Sequence, residues 1–292
     1  MLRFGLQPLQ FIEVLEDVAG AGPSVVGKFD YLKFCRAAVE AGFSHVELLA
    51  DMHYVIPGSL REGALRELRE LGEGGVSFSV HLPVWSIELA SPNPHVREAS
   101  ITSTIESIEL LEPLEPLCYV IHLTGSLAAE FSRLSLPGEY RELIIEQLAR
   151  LSADSVRRIL RETGVDPHLL AAENVEFPFK HTWRVIEELD LSFCLDTGHL
   201  LAGYSGNLEL LELAKSCWSR MVEVHLHDGY ERRVGSVVVR RDHLPLGSGD
   251  MPVAEFYKLL VERGFSGPLV FELSLRDAIK SLEVLRGSTQ SV

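Results

Sequence analysis

The sequence predicts an α/β chain folded as one (β/α)8 barrel across residues 1–292, with a metal site at the C-terminal mouth of its strands. Three observations carry this. Short apolar runs alternate with longer amphipathic stretches eight times, and crossovers between parallel strands are normally helical. Eight such units in 292 residues match the length of a closed barrel. Ligand-type side chains recur at the C-terminal ends of successive runs, the end at which barrels of this kind hold their active sites. An open, doubly wound sheet is the competing architecture, but the first run, "RFGLQPLQF", has no GxGxxG turn.

The strands are expected at Arg3–Gln7, Ser44–Ala50, Val76–Pro83, Cys118–Gly125, His168–Val175, Leu191–Gly198, Met221–Asp228 and Pro268–Ser274. Helical spacing of apolar residues marks Phe29–Gly42, which stops at a glycine suited to a helix end. Pro94–Pro113 starts after Asn-Pro and halts before a proline. Gly138–Gly164 is long and amphipathic, Asn207–Cys217 offers Asn207 as a cap, and Pro252–Phe265 places proline in a first turn. Ser274–Gly287 closes the chain, and Asp51–Leu60 reads as a loop after the second strand.

Composition narrows the function. Apolar residues make up 46% and charged residues 24%, enough to bury a sizeable core. The net charge of −15 argues against a broad nucleic-acid face or an anionic membrane as partner. Cys35, Cys118, Cys194 and Cys217 are widely spaced and read as reduced thiols. The opening MLRFGLQPLQF lacks the features of a signal peptide. No run reaches the roughly 18–20 apolar residues that span a bilayer. A cytoplasmic chain is the expectation.

The strand ends carry the chemistry. They bring His81, His122, Glu173, Asp196 with His199 just beyond, His225 and Glu272. Side chains alternate faces with period two, so Ser79, Val120, Ala171, Cys194 and Val270 lie one layer beneath them. Small or apolar residues below and polar ones at the rim fit a packed floor under a polar bowl. Imidazoles and carboxylates that converge without matching Lys or Arg repel or titrate away from charge. Divalent cations resolve this, and the mixture suits zinc, manganese, iron or cobalt better than magnesium or calcium.

The motifs "VHLP", "IHLTG", "AAENVE", "CLDTGH", "VHLHD" and "HLPLGSGDM" resemble the xylose isomerase-like barrel superfamily, also described as AP endonuclease family 2. It includes endonuclease IV and sugar isomerases and epimerases, and the likeness runs from "RFGLQ" to "VFELS". The resemblance implies that Glu173, Asp196, His225 and Glu272 hold one shared metal. The additional His81, His122, His199 and His243 resemble the endonuclease IV-type site, which implies a cluster of two or three zinc ions, or manganese, cobalt or iron in their place. That type reads Asp-x-His-x-x-Leu-Gly before its last histidine, whereas this chain has "RRDHLPLG". Arg241 falls where the aspartate belongs and Asp242 comes one residue late. Either Asp242 reaches the site through a backbone shift, or the site holds two metals.

The resemblance further implies a metal-dependent phosphoester or phosphodiester hydrolase, with Glu173, Glu272 and His199 as its catalytic groups. DNA repair is the role the likeness suggests first. The acidic chain fits a small phosphodiester better, nucleotide-like or cobamide-like. The alternative is a manganese- or cobalt-dependent sugar or sugar-phosphate isomerase or epimerase, in which Glu173 and Glu272 exchange protons. Arg240 and Arg241, within an arginine-rich stretch from Tyr230 to His243, are candidate phosphate ligands; the same stretch also alternates like a solvated hairpin. Glu47, His227 and Trp85 are candidate substrate contacts. His45, His95, His168 and His181 read as surface or loop residues.

Overall fold

A computed structural model describes residues 2–7, 30–56 and 58–289. Pro8–Phe11 of the opening stretch and Phe29, the expected start of the first helix, lie outside the described residues. Eight parallel strands close into a barrel. They are β1 (Arg3–Leu6), β2 (His45–Leu49), β3 (Ser77–His81), β4 (Tyr119–Ile121), β5 (Leu170–Glu173), β6 (Ser192–Asp196), β7 (Met221–His225) and, after two hairpin strands β8 (Asp228–Val234) and β9 (Val237–Leu244), β10 (Pro268–Phe271). Each barrel strand pairs with its neighbour in sequence around the ring, and β10 closes it by pairing Arg3 with Pro268 through Leu6 with Phe271. Every expected strand is present, shorter by one to several residues where the chain turns into a loop.

Helices wrap the outside. They are α1 (Tyr31–Glu40), α2 (Asp51–Val55), α3 (Glu62–Glu73), α4 (Pro94–Leu111), α5 (Ser126–Arg133), α6 (Gly138–Thr163), α7 (Phe179–Leu189), α8 (Thr197–Leu201), α9 (Leu210–Ser216), α10 (Val253–Glu262) and α11 (Leu275–Thr289). Asp30 and Asn93 cap α1 and α4 by accepting backbone N–H bonds. Asn207 does not cap α9, which begins three residues later, after Glu209, without a side-chain cap. The segment read as a loop after β2 folds into α2, and α3 follows. No helix among the described residues is long and apolar enough to cross a membrane.

The main core lies between strands and helices and includes Leu6, Val46, Leu48, Val80, Phe193, Leu195, Val224 and Phe271. Inside the barrel a smaller set, Cys118, Val120, Ala171 and Cys194, forms the floor. Small side chains fit there because eight strands converge on a narrow space. His45 belongs to this interior and not to the surface: it is fully buried, with its ring nitrogens 2.9 Å from Ser77 Oγ and Ser79 Oγ. Gly5 makes room for it, since a Cβ there would lie 2.7 Å from His45 Cδ2.

Between β7 and α10 the strands β8 and β9 form an antiparallel hairpin that turns at Gly235. The alternation read in "RRVGSVVVRR" is this hairpin. It packs against α8 beside the barrel mouth.

Candidate metal centre

Four barrel strands bring an acidic or imidazole side chain to an inner cluster at the mouth. Glu173 from β5, Asp196 from β6, His225 from β7 and Glu272 just beyond β10 are each at most 2% exposed. His225 Nδ1 lies at their centre, 3.4 Å from Glu272 Oε1, 3.5 Å from Glu173 Oε1 and 3.7 Å from Asp196 Oδ2. Asp196 and His225 are direct neighbours in the β6–β7 register, so strand pairing sets that approach.

The two oxygens of Glu173 serve different histidines. Oε2 is 2.8 Å from His122 Nε2 and 3.3 Å from His81 Nε2. Oε1 is 3.1 Å from His199 Nδ1 and faces His225 on the same side. His199 sits one turn into α8, where Asp196 caps the helix by accepting its backbone N–H at 2.6 Å. The glycine between them is a steric requirement, because a Cβ on Gly198 would lie 2.0 Å from His227 Nδ1.

The hairpin supplies the remaining groups through a bulge. Tyr230 pairs with Arg241 but Asp228 pairs with Leu244, so the register slips across Asp242 and His243. His243 adopts φ +51, a left-handed conformation uncommon for a side chain other than glycine. A regular strand would send consecutive side chains to opposite faces. The bulge turns both the same way, placing Asp242 Oδ2 3.1 Å from His243 Nδ1 and 3.5 Å from His199 Nε2. The backbone shift that Asp242 requires is present, and Asp242, His199 and His243 form one ligand-competent group. Arg241 does not enter it. Asp228, fully buried at the hairpin's root, accepts backbone N–H bonds from Gly229, Gly247, Gly249 and Met251 at 2.8–2.9 Å.

The family model for the xylose isomerase-like TIM barrel matches residues 35–287. The chain belongs to this family. No curated protein matches the chain. Among solved structures it is similar to a D-tagatose 3-epimerase-like protein, at 20% identity over 100% of this chain and 98% of that one, with TM-score 0.68. It is also similar to 3-keto-D-glucoside 4-epimerase from E. coli, at 15% identity over 98% and 100%, with TM-score 0.68. Endonuclease IV from Thermus thermophilus resembles it at 19% identity over 99% and 100%, with TM-score 0.63. At these identities the likeness concerns the fold. The xylose isomerase-like family is enzymatic, and both sugar epimerases and a nuclease stand among these neighbours.

In this xylose isomerase-like barrel the bowl's polar atoms suit a cation. Glu173 Oε1, His199 Nδ1 and His225 Nδ1 are buried with no hydrogen-bond partner, an arrangement that costs about 1–3 kcal/mol per group unless something binds them. The two imidazole nitrogens lie 3.1 and 3.5 Å from Glu173 Oε1. Burial alone would push His81 and His199 toward the neutral form, but surrounding carboxylates win and lift each to about 9. For His199 these are Asp196 and Glu173. Burial would likewise raise Glu173, yet His122, His225 and His199 hold it well below the carboxylate range. Opposite charges trapped together in this way are held by protons that a divalent cation can replace.

The other candidate residues fall in different places. His227 is fully buried: its Nε2 is 2.8 Å from Asp196 Oδ2 and its Nδ1 accepts the His243 N–H at 3.0 Å. Both nitrogens are thus engaged, and it braces two ligand-type residues where a substrate contact was expected. Glu47 is also fully buried, engaged by Gln7 and His225 beneath the mouth. Arg240 lies on the hairpin beside Glu176. It pairs with Glu231 at 2.8 Å, lies over the Tyr204 ring and borders a cavity of about 360 Å³ with Arg133, Glu176, Tyr204 and Val238. Tyr204 stands 5.8 Å, ring to ring, from His199. Arg241 directly opposes Tyr230 on the other face of the hairpin. Trp85 is 47% exposed, with its backbone N–H held by Asp51. His95 and His168 are exposed as expected, while His181 is buried beside Glu142. Sequence reasoning passed over Gln7, Glu223, Asp228 and Tyr204; the same strand-end rule applied to β1 points to Gln7.

Proposed function

We propose that this protein is a metal-dependent hydrolase of small phosphoesters or phosphodiesters, with a centre for two or three transition-metal ions. The observation that supports this reading is the divided carboxylate of Glu173. One oxygen faces His81 and His122, the other faces His199 and His225. A single-cation site has no use for both sets. His81, His122 and Glu173 would hold one ion; Asp196, His225, Glu272 and the second Glu173 oxygen another; His199, Asp242 and His243 a third. Bound cations would polarise a phosphoryl group and lower the pKa of a water from 15.7 toward about 7.

The chain's own residues do the rest. Asp196 fixes His199 through the helix cap, and His227 fixes Asp196. Arg240 lies over Tyr204, whose ring neighbours His199, and its planar donor fork would suit a phosphate oxygen in exchange for Glu231. The layer below is closed to water: Cys118, Val120, Ala171 and Cys194 pack there beside the fully buried His45, Glu47, Ser79 and Glu223. The hairpin and the net charge of −15 favour a small substrate over duplex DNA.

The sugar isomerase or epimerase reading draws support from the epimerases among the structural neighbours. It needs one ion between Glu173, Asp196, His225 and Glu272, with the two glutamates exchanging protons. Elemental analysis of the purified protein alongside phosphomonoester, phosphodiester and ketose panels separates the two. Two or more zinc-type ions per chain with phosphoester turnover is expected. One manganese per chain with ketose interconversion and no phosphoester turnover overturns the hydrolase reading.

A further inference from the structure

Strands β1 and β2 supply none of the nine residues assigned above to the metal centre, although Glu47 on β2 also groups with Glu223 and His225 in a ligand-competent cluster of its own. Each strand instead delivers a side chain turned against one of the nine. Gln7, one residue past β1 and fully buried, donates from Nε2 to Glu272 Oε1 at 2.7 Å and to Glu47 Oε1 at 2.5 Å. Carboxylates only accept, so the amide NH₂ must face both oxygens, and this fixes the orientation of the side chain. Glu47 Oε1 is in turn 3.2 Å from His225 Nε2. The other nitrogen of that ring, Nδ1, faces Glu272, Glu173 and Asp196. Glu272, Gln7, Glu47 and His225 therefore form a closed circuit of contacts around the inner site.

The circuit is braced from below. Glu223, fully buried one layer beneath His225, accepts from Ser79 Oγ at 3.0 Å and Cys118 Sγ at 2.9 Å. Ser79 Oγ also lies 3.4 Å from Glu47 Oε2, and His45 holds Ser79 at 2.9 Å. Glu47 has no exposure to water.

We infer that Gln7 and Glu47 are the positioning residues of the inner metal site. Glu47 keeps the ring proton of His225 on Nε2, which leaves the Nδ1 lone pair for a cation. Gln7 ties the Glu272 carboxylate to the same support. A carboxylate behind a metal-bound imidazole fixes the tautomer and strengthens the ligand, and its loss typically costs about 10–100-fold in metal affinity. The inference rests on the metal centre proposed above and is independent of which reaction that centre performs.

The test is zinc affinity, by competition with a chromophoric chelator, and the visible spectrum of the cobalt-loaded protein. Wild type, Glu47→Gln, Glu47→Leu and Gln7→Leu are compared. Glu47→Leu and Gln7→Leu are expected to weaken one zinc equivalent by about 10–100-fold and to alter the cobalt spectrum. Glu47→Gln, which keeps an acceptor oxygen, shows a smaller loss. The equivalent bound by His199, Asp242 and His243 stays at wild-type affinity. Folded Glu47→Leu or Gln7→Leu protein with wild-type affinity and spectrum overturns the inference; should Glu47→Leu not fold, Gln7→Leu and Glu47→Gln decide it alone. Wild-type protein that binds no zinc removes the metal centre itself, a distinguishable failure.

Discussion

Asp242 shows how much one backbone angle can decide. Its carboxylate reaches His199 only because His243 accepts a left-handed φ and the strand bulges. Asp242→Ala is expected to lose one metal equivalent per chain while the inner sites stay filled, as read by elemental analysis. Titration gives a second expectation at this scale. His81 and His199 are raised from the usual 6.5 to about 9 in the metal-free fold. A raised histidine stabilises the fold fully below its unfolded pKa and loses that contribution as pH climbs through its folded pKa. The metal-free protein should therefore lose thermal stability between pH 6.5 and about 9. Glu173 and Glu272 are depressed, so their contribution is present above the usual carboxylate pKa and fades in acid. Metal competes with the histidine protons, so zinc should raise Tm more at pH 9 than at pH 6.5. Scanning calorimetry with and without zinc checks both signs.

At the level of elements, the hairpin divides into a root that builds the site and a tip that does not. Val234 and Val237 at the tip are 65% and 60% exposed. Removing this pair while keeping Gly235 and Ser236 is expected to change stability by no more than about 0.5 kcal/mol, and metal content not at all. Chemical denaturation and elemental analysis measure the two. The elements also show what the sequence could reveal. Every barrel strand was legible, because buried parallel strands are short apolar runs and period two turns their last inward residue to the rim. His81, His122, Glu173, Asp196, His225 and Glu272 were singled out by that rule, and they do converge on one bowl. Asp242 was only half legible, since a bulge breaks the alternation on which such reading depends. Gln7 was missed because an amide is not a ligand type, although it follows β1 directly as Glu272 follows β10. His45 was misread because the space it fills exists only through the missing Cβ of Gly5 on another strand. The helix α3 escaped because its apolar stripe is narrow, with only Leu68 fully buried.

Considered as a whole, the molecule joins groups scattered from Gln7 to Glu272 into one bowl, so cation binding should be felt throughout the barrel. A ligand that binds only the folded state stabilises it by about 4 kcal/mol when present at 1,000 times its Kd. Zinc at that excess should raise the urea midpoint of unfolding accordingly, and chelation should return it to the metal-free value. The buried carboxylate of Asp228 sets a different limit. Asp228→Ala takes the acceptor from four backbone N–H groups, at about 1–3 kcal/mol for each that stays buried, so it should be among the most destabilising single changes, and denaturant titration measures this directly.

That anchor also has a use. Asp228 fastens both the departure of the hairpin and the return segment Gly247–Met251 to the rim. The stretch from Arg233 to Val238 is therefore a cassette with pinned ends, with Glu231 and Arg240 outside it. Foreign loops grafted there, outside the Asp242–His243 bulge, would redecorate the entrance while the barrel and its ligand-bearing residues remain as they are.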